Sequence, residues 1–181
     1  MELSYDIRLI RAPETAVLRK MLFQAIFVPE GAPVPDAAIT GLPELRRFYE
    51  HWGRPGDLAL VALLHAHGAP GPGTGHPQII GAAWYRLFPA AAPGYGFVAE
   101  HIPELTVAVV AEYRGRGVGR ALLQALLSRA QAAGHPGLSL SVDRRNPALR
   151  LYERLGFKAV KEGSSRTMLL EFSRSVDPRD P

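Results

Sequence analysis

The residues best suited to chemistry sit where an apolar strand runs into a helix, in Arg114-Gly115-Arg116-Gly117-Val118-Gly119-Arg120. Glycine at three alternate positions lets the backbone take unusual angles and lets a ligand approach the main chain closely. The first amides of a helix have no internal partners, and the helix dipole adds positive character, so such an end accepts a phosphate group. Arg114, Arg116 and Arg120 could add charge around it. Three phosphate-binding patterns compete. A dinucleotide fingerprint needs G-x-G-x-x-G; its last position falls on Arg120 counted from Gly115 and on Leu122 counted from Gly117, although Ala121 is nearby. An ATP-type loop needs a Gly-Lys-Ser/Thr ending, which is missing. The third pattern, Arg/Gln-x-x-Gly-x-Gly/Ala, is met in full by Arg114, Gly117 and Gly119.

The flanking sequence must supply a strand to deliver this loop and a helix to carry its amides. Glu104–Ala111 has the apolar content and length of a buried strand. From Gly117 to Ala133, Val118, Ala121, Leu122, Ala125 and Leu126 share one helical face, Arg120, Gln124, Ser128 and Gln131 share the other, and Gly134 ends the helix. Leu138–Val142 then reads as a strand, Pro147–Leu155 as a short helix, and Phe157–Lys161 and Thr167–Phe172 as strands. Upstream, Tyr5–Ile10 is a first strand. Pro13 stands at the start of a helix that runs to about Phe27 on Leu18, Met21, Leu22, Ala25 and Ile26. A loop from Pro29 to Gly41 leads to a short helix with Leu45, Phe48, Tyr49 and Trp52 on one face. Leu58–Leu64 and Gln78–Phe88 form a hairpin around the glycine- and proline-rich tip 67–77, and a second loop, Pro89–Pro103, follows. The first-half meander is antiparallel, whereas the strand–helix–strand unit at 104–142 is parallel by the crossover rule. The expected fold is α/β: a mixed central sheet of about seven strands with about four helices on its two faces. Residues 1–172 form one domain, and 173–181 form a short polar C-terminal tail.

At this point the chain resembles the GNAT superfamily of acyl-CoA-dependent N-acetyltransferases. RGRGVGRALL looks like its pyrophosphate-binding loop and helix. NPALRLYERLGF, residues 146–157, looks like its second cofactor motif, and one strand lies between the two as in the family. The resemblance implies a sheet splayed at the strand before the loop, with the pantetheine arm of acetyl-CoA in the gap. It places main-chain groups near Val109 and Val110 on that arm, one amide facing the thioester oxygen, and the amides of Gly115, Arg116, Gly117, Val118, Gly119 and Arg120 on the pyrophosphate. Asn146 would touch the cofactor near the pantetheine. The Tyr152 hydroxyl would lie by the sulfur and protonate the leaving thiolate. Many members have seven residues from this Asn to the Tyr; here there are six.

The resemblance also implies direct attack by an amine in a ternary complex. The ammonium must first lose a proton, to a carboxylate or through a chain of waters. Glu104, at the start of the strand leading to the loop, stands where the family often carries that carboxylate. Glu100 is a second, weaker choice, and the other position the family uses holds Ser141, a poor base. The acceptor is a small-molecule or peptide amine. The residues that would select it lie in the helix pair near 14–52 and in the loop 89–103, neither of which carries a decisive signature.

Composition bounds these readings. The 181 residues suffice for one domain with a substantial core, and 47% hydrophobic content is ordinary for a globular chain. The absence of cysteine excludes disulfides, thiolate metal sites and covalent cysteine catalysis. The net charge of +4 comes from 18 Arg and 3 Lys that are scattered rather than gathered in a run, which disfavours nucleic acid as a partner. No apolar run is long enough to span a membrane and the first residues carry no apolar leader, so a cytoplasmic protein is expected, with a homodimer an ordinary assembly. His65 and His67 would share a face of an extended chain but lack a third ligand at a recognisable spacing, so no metal is expected. Structural readings stand beside each functional one: the glycines as a tight strand-to-helix turn, Tyr152 as packing before Gly156-Phe157, Glu104 as an exposed strand-end carboxylate, Arg114 and Arg116 as surface charge. Two other functions also remain, a non-catalytic acyl-CoA sensor and a dinucleotide-dependent enzyme.

Overall fold

The apolar runs become strands covered on both faces, which is why they lack polar alternation. In the computed structural model, which describes residues 3–65 and 78–173, seven strands form one sheet. They are β1 (Tyr5–Leu9), β2 (Leu58–Leu64), β3 (Ile79–Arg86), β4 (Glu104–Val109), β5 (Gly137–Asp143), β6 (Lys158–Lys161) and β7 (Ser165–Glu171). Their spatial order is β1-β2-β3-β4-β5-β7-β6. Every neighbouring pair is antiparallel except β4 and β5. Four helices, α1 (Val17–Ala25), α2 (Pro43–Arg46), α3 (Val118–Ala132) and α4 (Leu149–Arg154), cover the sheet. The mixed α/β architecture thus agrees with the sequence. The glycine-rich hairpin tip, His67 and the tail beyond residue 173 lie outside the described residues.

Elements differ from expectation mainly at their ends. β4 stops at Val109 rather than Ala111, where a 3-10 turn over Ala111–Tyr113 takes the chain off the sheet. The second helix shrinks to Pro43–Arg46, and Phe48, 4% exposed, is carried into the core by the turns that follow it. In α3 the fully buried set includes Leu123 and Ala130, whereas Ala121 and Ala125 are only partly covered. The helix lies across β2, β3, β4 and β5, which turns its Leu123 and Ala130 side inward in place of Ala121 and Ala125.

β4 and β5 pair at a single position, Glu104 opposite Ser139, with Ser139 N–H donating to Pro103 O at 3.0 Å. Beyond it the strands part. Packing on the two faces holds the sheet together across the gap. On one face Val118, Leu122, Leu123 and Leu126 of α3 meet Tyr85, Leu105, Leu138, Leu140 and Tyr152. On the other, Leu18, Met21 and Leu22 of α1 meet Val61, Ala82, Trp84, Phe88 and Ala108. Among the described residues no helix is long and apolar enough to cross a membrane.

Arg86, at the end of β3, is 1% exposed and holds the segment before β2 against the sheet. Its Nε and Nη2 donate to Asp57 Oδ1 and Oδ2 at 2.8 and 2.6 Å. Nη1 donates to Arg47 O and Glu50 O at 2.7 and 2.8 Å, and Nη2 to His51 O at 3.3 Å. All five guanidinium N–H donors are thereby matched. Replacing Asp57 by Ala leaves a buried, unpaired charge, and unfolding in urea should show a loss of about 3–5 kcal/mol. The double variant Arg86→Met/Asp57→Leu should not recover it, because three main-chain carbonyls then lose their donors; recovery to wild-type stability would show that the carbonyl bonds contribute little.

Candidate active site

Gly115 (φ 72) and Gly117 (φ 83) both occupy the left-handed region, so the chain turns sharply between the end of β4 and α3. From Gly115 to Arg120 no amide donates to another main-chain group among the described residues; the first helical bond is Ala121 N–H to Gly117 O at 3.0 Å. Val118, 1% exposed, plugs the start of α3 into the core, while Arg116 and Arg120 stay at the surface beside the free amides. Arg114 behaves differently. Its Nε donates to Val109 O and its Nη2 to Gln24 O, both at 2.9 Å, so its side chain ties the end of α1 to the end of β4.

In the gap beside β4, strand alternation decides which groups are free. Val110 N–H donates to Ile80 O at 2.9 Å, across to β3. The N–H groups of Val107 and Val109 therefore face the opening, and Val110 does not. Asn146 Oδ1 accepts from Ala148 N–H at 2.9 Å and caps the turn into α4, leaving its amide nitrogen as the part able to reach outward. Tyr152, 8% exposed, packs edge-on against Phe157 at 6.0 Å. Burial pushes its hydroxyl up to about 12, so at neutral pH it keeps its proton.

Glu104 lies on the opposite face from Tyr152. Its neighbour Leu105 packs in the α3 core with Tyr152, and Ala108, which shares the face of Glu104, packs in the α1 core. The carboxyl is 4% exposed rather than an exposed strand end. Oε1 accepts from Gly96 N–H at 2.7 Å, and Oε2 is buried with no partner among the described residues. Burial, only partly offset by the Gly96 bond, pushes the carboxyl up to about 7. Glu100 is a loop staple instead: it is exposed, and its Oε1 accepts from Ala90 N–H at 2.7 Å.

Comparison with known proteins places this fold in a family. The family model described as acetyltransferase (GNAT) family matches residues 36–157, which is most of the chain. The chain belongs to the GNAT acetyltransferase family. Mycothiol acetyltransferase of Corynebacterium aurimucosum is 33% identical over 132 residues, covering 71% of this chain and 39% of that protein. The chain thus aligns with well under half the length of that relative. Among solved structures, ribosomal-protein-S18-alanine N-acetyltransferase from Escherichia coli superposes with TM-score 0.63 at 19% identity, over 97% of this chain and 98% of that one. Arabidopsis thaliana NAA60, solved in complex with acetyl-CoA, gives 0.59 at 16% identity over 93% and 99%. These two share the fold.

Within this GNAT fold the sequence-chosen residues fall into three groups. The loop 115–120 and Val109 N–H border the open side of β4; Tyr152 and Glu104 flank the sheet on either face; the Arg114 guanidinium and the Asn146 Oδ1 are engaged in structural bonds. His65 Nε2 lies 2.9 Å from Asp6 Oδ2, and among the described residues no cluster of three or more His, Cys, Asp or Glu is placed to hold a metal. Sequence reasoning missed Gly94 and Gly96, which contact Glu104. The one available signal was Gly-Tyr-Gly at 94–96, inside a loop otherwise rich in alanine and proline.

Two outcomes test this geometry. Gly117→Glu places a carboxylate among the free amides and a side chain at φ 83, so calorimetric titration should show no acetyl-CoA binding while circular dichroism stays near native. Glu104 makes stability depend on pH. Its folded pKa is raised, so the folded state holds the proton more tightly and stability falls as pH rises from the carboxylate range through about 7. The shift corresponds to about 3 kcal/mol. Glu104→Gln removes that loss, so its stability relative to wild type should be distinctly higher at pH 8 than at pH 5; an equal difference at both pH values would place the carboxyl in water.

Proposed function

We propose that this protein is an N-acetyltransferase that moves an acetyl group from acetyl-CoA to a primary amine by direct attack within a ternary complex. The observation that carries this reading is the parting of β4 and β5 after one residue pair, with unpartnered amides at the start of α3 and a buried carboxyl and a buried phenol on opposite faces of the sheet. A donor set of six main-chain N–H groups with Arg116 and Arg120 beside it suits a pyrophosphate. Acetyl-CoA supplies an acetyl group activated on a thioester sulfur.

The chain's own groups divide the remaining work. Amides 115–120 hold the pyrophosphate, and Val107 and Val109 N–H in the gap orient the pantetheine and stabilise negative charge on the carbonyl oxygen. Glu104 takes the amine proton as the N–C bond forms. A carboxyl titrating near 7 suits that step, because about half of it is ionised in a neutral medium and it is more basic than an ordinary carboxylate. Tyr152 gives its proton to the sulfur as the C–S bond breaks. Its raised pKa keeps the proton available until a thiolate appears. The acceptor enters on the α1 and loop 89–103 side, where Glu104 lies.

The purified protein should bind acetyl-CoA in calorimetric titration and not NADH. Tyr152→Phe should keep that binding and slow thiol release with a good amine by about 10²-fold, the scale of a lost proton donor. No acetyl-CoA binding by folded protein would remove the proposal. Tight binding with no turnover across a broad amine panel would instead indicate a sensor.

A further inference from the structure

The carboxyl of Glu104 is covered by one short strap, Gly94-Tyr95-Gly96. Gly96 N–H holds Oε1 at 2.7 Å. Gly96 itself lies flat on β5: a Cβ there would stand 2.7 Å from Ser141 N and 2.8 Å from Leu140 O. A Cβ on Gly94 would fall far inside van der Waals contact with Oε2, so the main chain of Gly94 rests directly over that oxygen. The strap is pinned from outside. Arg47 Nη1 donates to Pro93 O at 2.6 Å, Lys161 Nζ donates to Phe97 O at 3.2 Å, and the Tyr95 ring stacks on Phe48 at 6.0 Å and 10°.

Arg86 is the register partner of Glu104 on β3, yet all five of its donors are spent on Asp57 and on three carbonyls. Ser139, the partner on β5, directs its hydroxyl to Pro103 O at 3.5 Å. Nothing described is left to donate to Oε2. A buried acceptor without a donor is costly, and the cost is relieved by whichever ligand brings one.

We propose that Gly94 and Gly96 are positioning residues for Glu104: Gly96 N–H fixes Oε1, and the bare main chain of Gly94 reserves Oε2 for an N–H of the acceptor amine. This rests on the reading of Glu104 as the base. The amine takes the place of the Gly94 main chain against Oε2 while the Gly96 bond holds the other oxygen still. The N–H proton passes to Oε2 as the N–C bond forms, the C–S bond breaks, and the sulfur receives the Tyr152 proton. Partly exposed Gly94 and 57%-exposed Tyr95 make this strap the surface that the incoming amine meets.

The test is a kinetic cycle on full-length protein with acetyl-CoA and a turned-over amine. Gly94→Ala should lower kcat at least tenfold with KM for acetyl-CoA unchanged, because the new methyl displaces the carboxyl. In a Glu104→Asp background, where the carboxylate is one methylene shorter and clears that methyl, Gly94→Ala should change kcat less than threefold. Equal losses in both backgrounds, or no loss in either, would overturn the proposal. If Gly94→Ala does not fold, Arg47→Met frees Pro93 at the surface and carries the same comparison: a several-fold loss of kcat with Glu104 and none with Glu104→Asp supports the proposal, and equal effects overturn it. Glu104→Gln separates the two claims, since full activity in that variant would remove Glu104 as base whatever Gly94 does.

Discussion

Two parallel strands that pair at one residue and then separate set the terms for the rest of this fold. β4 and β5 meet at Glu104 and Ser139, and past that point a sheet interior exposes unpaired main-chain groups. Unsatisfied buried N–H and C=O groups are costly, so a gap of this kind persists only where the flanking halves are rigid and the opening meets polar atoms from elsewhere. Rigidity comes from two cores on opposite faces of the sheet: the one under α3 spans the gap from β2 to β7, and the one under α1 packs on β2, β3 and β4. The Arg114 guanidinium closes one edge of the opening by accepting the task of pairing Val109 O, and it reaches Gln24 on α1 with the same group. A residue that the motif marks as a phosphate ligand thus contributes its side chain to the architecture and its place in the chain to the loop.

The second half of the site depends on a different buried charge. Arg86 fastens the turns at 47–57 to β3, and those turns carry Phe48 into the core and Arg47 to the strap. Phe48 in turn supports the Tyr95 ring, and its carbonyl accepts from Trp84 Nε1 at 3.0 Å. The route from a core ion pair to the cover over Glu104 therefore runs through contiguous bonds and ring contacts. A fully matched guanidinium also explains why a cation on the adjacent strand does nothing for the orphaned carboxylate oxygen. Its geometry is consumed by Asp57 and the three carbonyls.

Legibility in the sequence followed the reach of the forces involved. The bounds of α3 were readable nearly to the residue because its start and its stop at Gly134 are local signals, whereas the burial of Leu123 and Ala130 depends on the strands beneath it. The strands β2, β3 and β5 were readable because continuous apolar runs of that length, bounded by glycine and proline, have few other uses. The family motifs located the loop 115–120 and Tyr152. The burial of Glu104 was not readable. It depends on a loop folding back across the sheet, and no periodicity records that. Nor could spacing tell Val109 from Val110; only the pairing of Val110 with Ile80 determines which amide is left over. The short second helix failed for a related reason: Leu45, Phe48, Tyr49 and Trp52 do face inward, but through turns held by Arg86 rather than through helical bonds.

Glu104 shows how the site draws on the stability of the scaffold. Consistent local choices fill most of the molecule, whereas this carboxyl is buried, incompletely hydrogen-bonded and displaced upward in pKa. An amide at the same position would satisfy the fold better. Retaining the acid is the kind of local conflict that a functional site tolerates and a structural one does not. The same environment that makes the group expensive makes it a stronger base than a solvated carboxylate, since both effects arise from loss of water around the negative charge. Tyr152 on the other face is displaced upward by the same physics. In its case the displacement preserves a proton instead of improving an acceptor. One dry sheet interior, opened at a single seam, thereby displaces a carboxyl on one side and a phenol on the other upward in pKa without any charged partner for either.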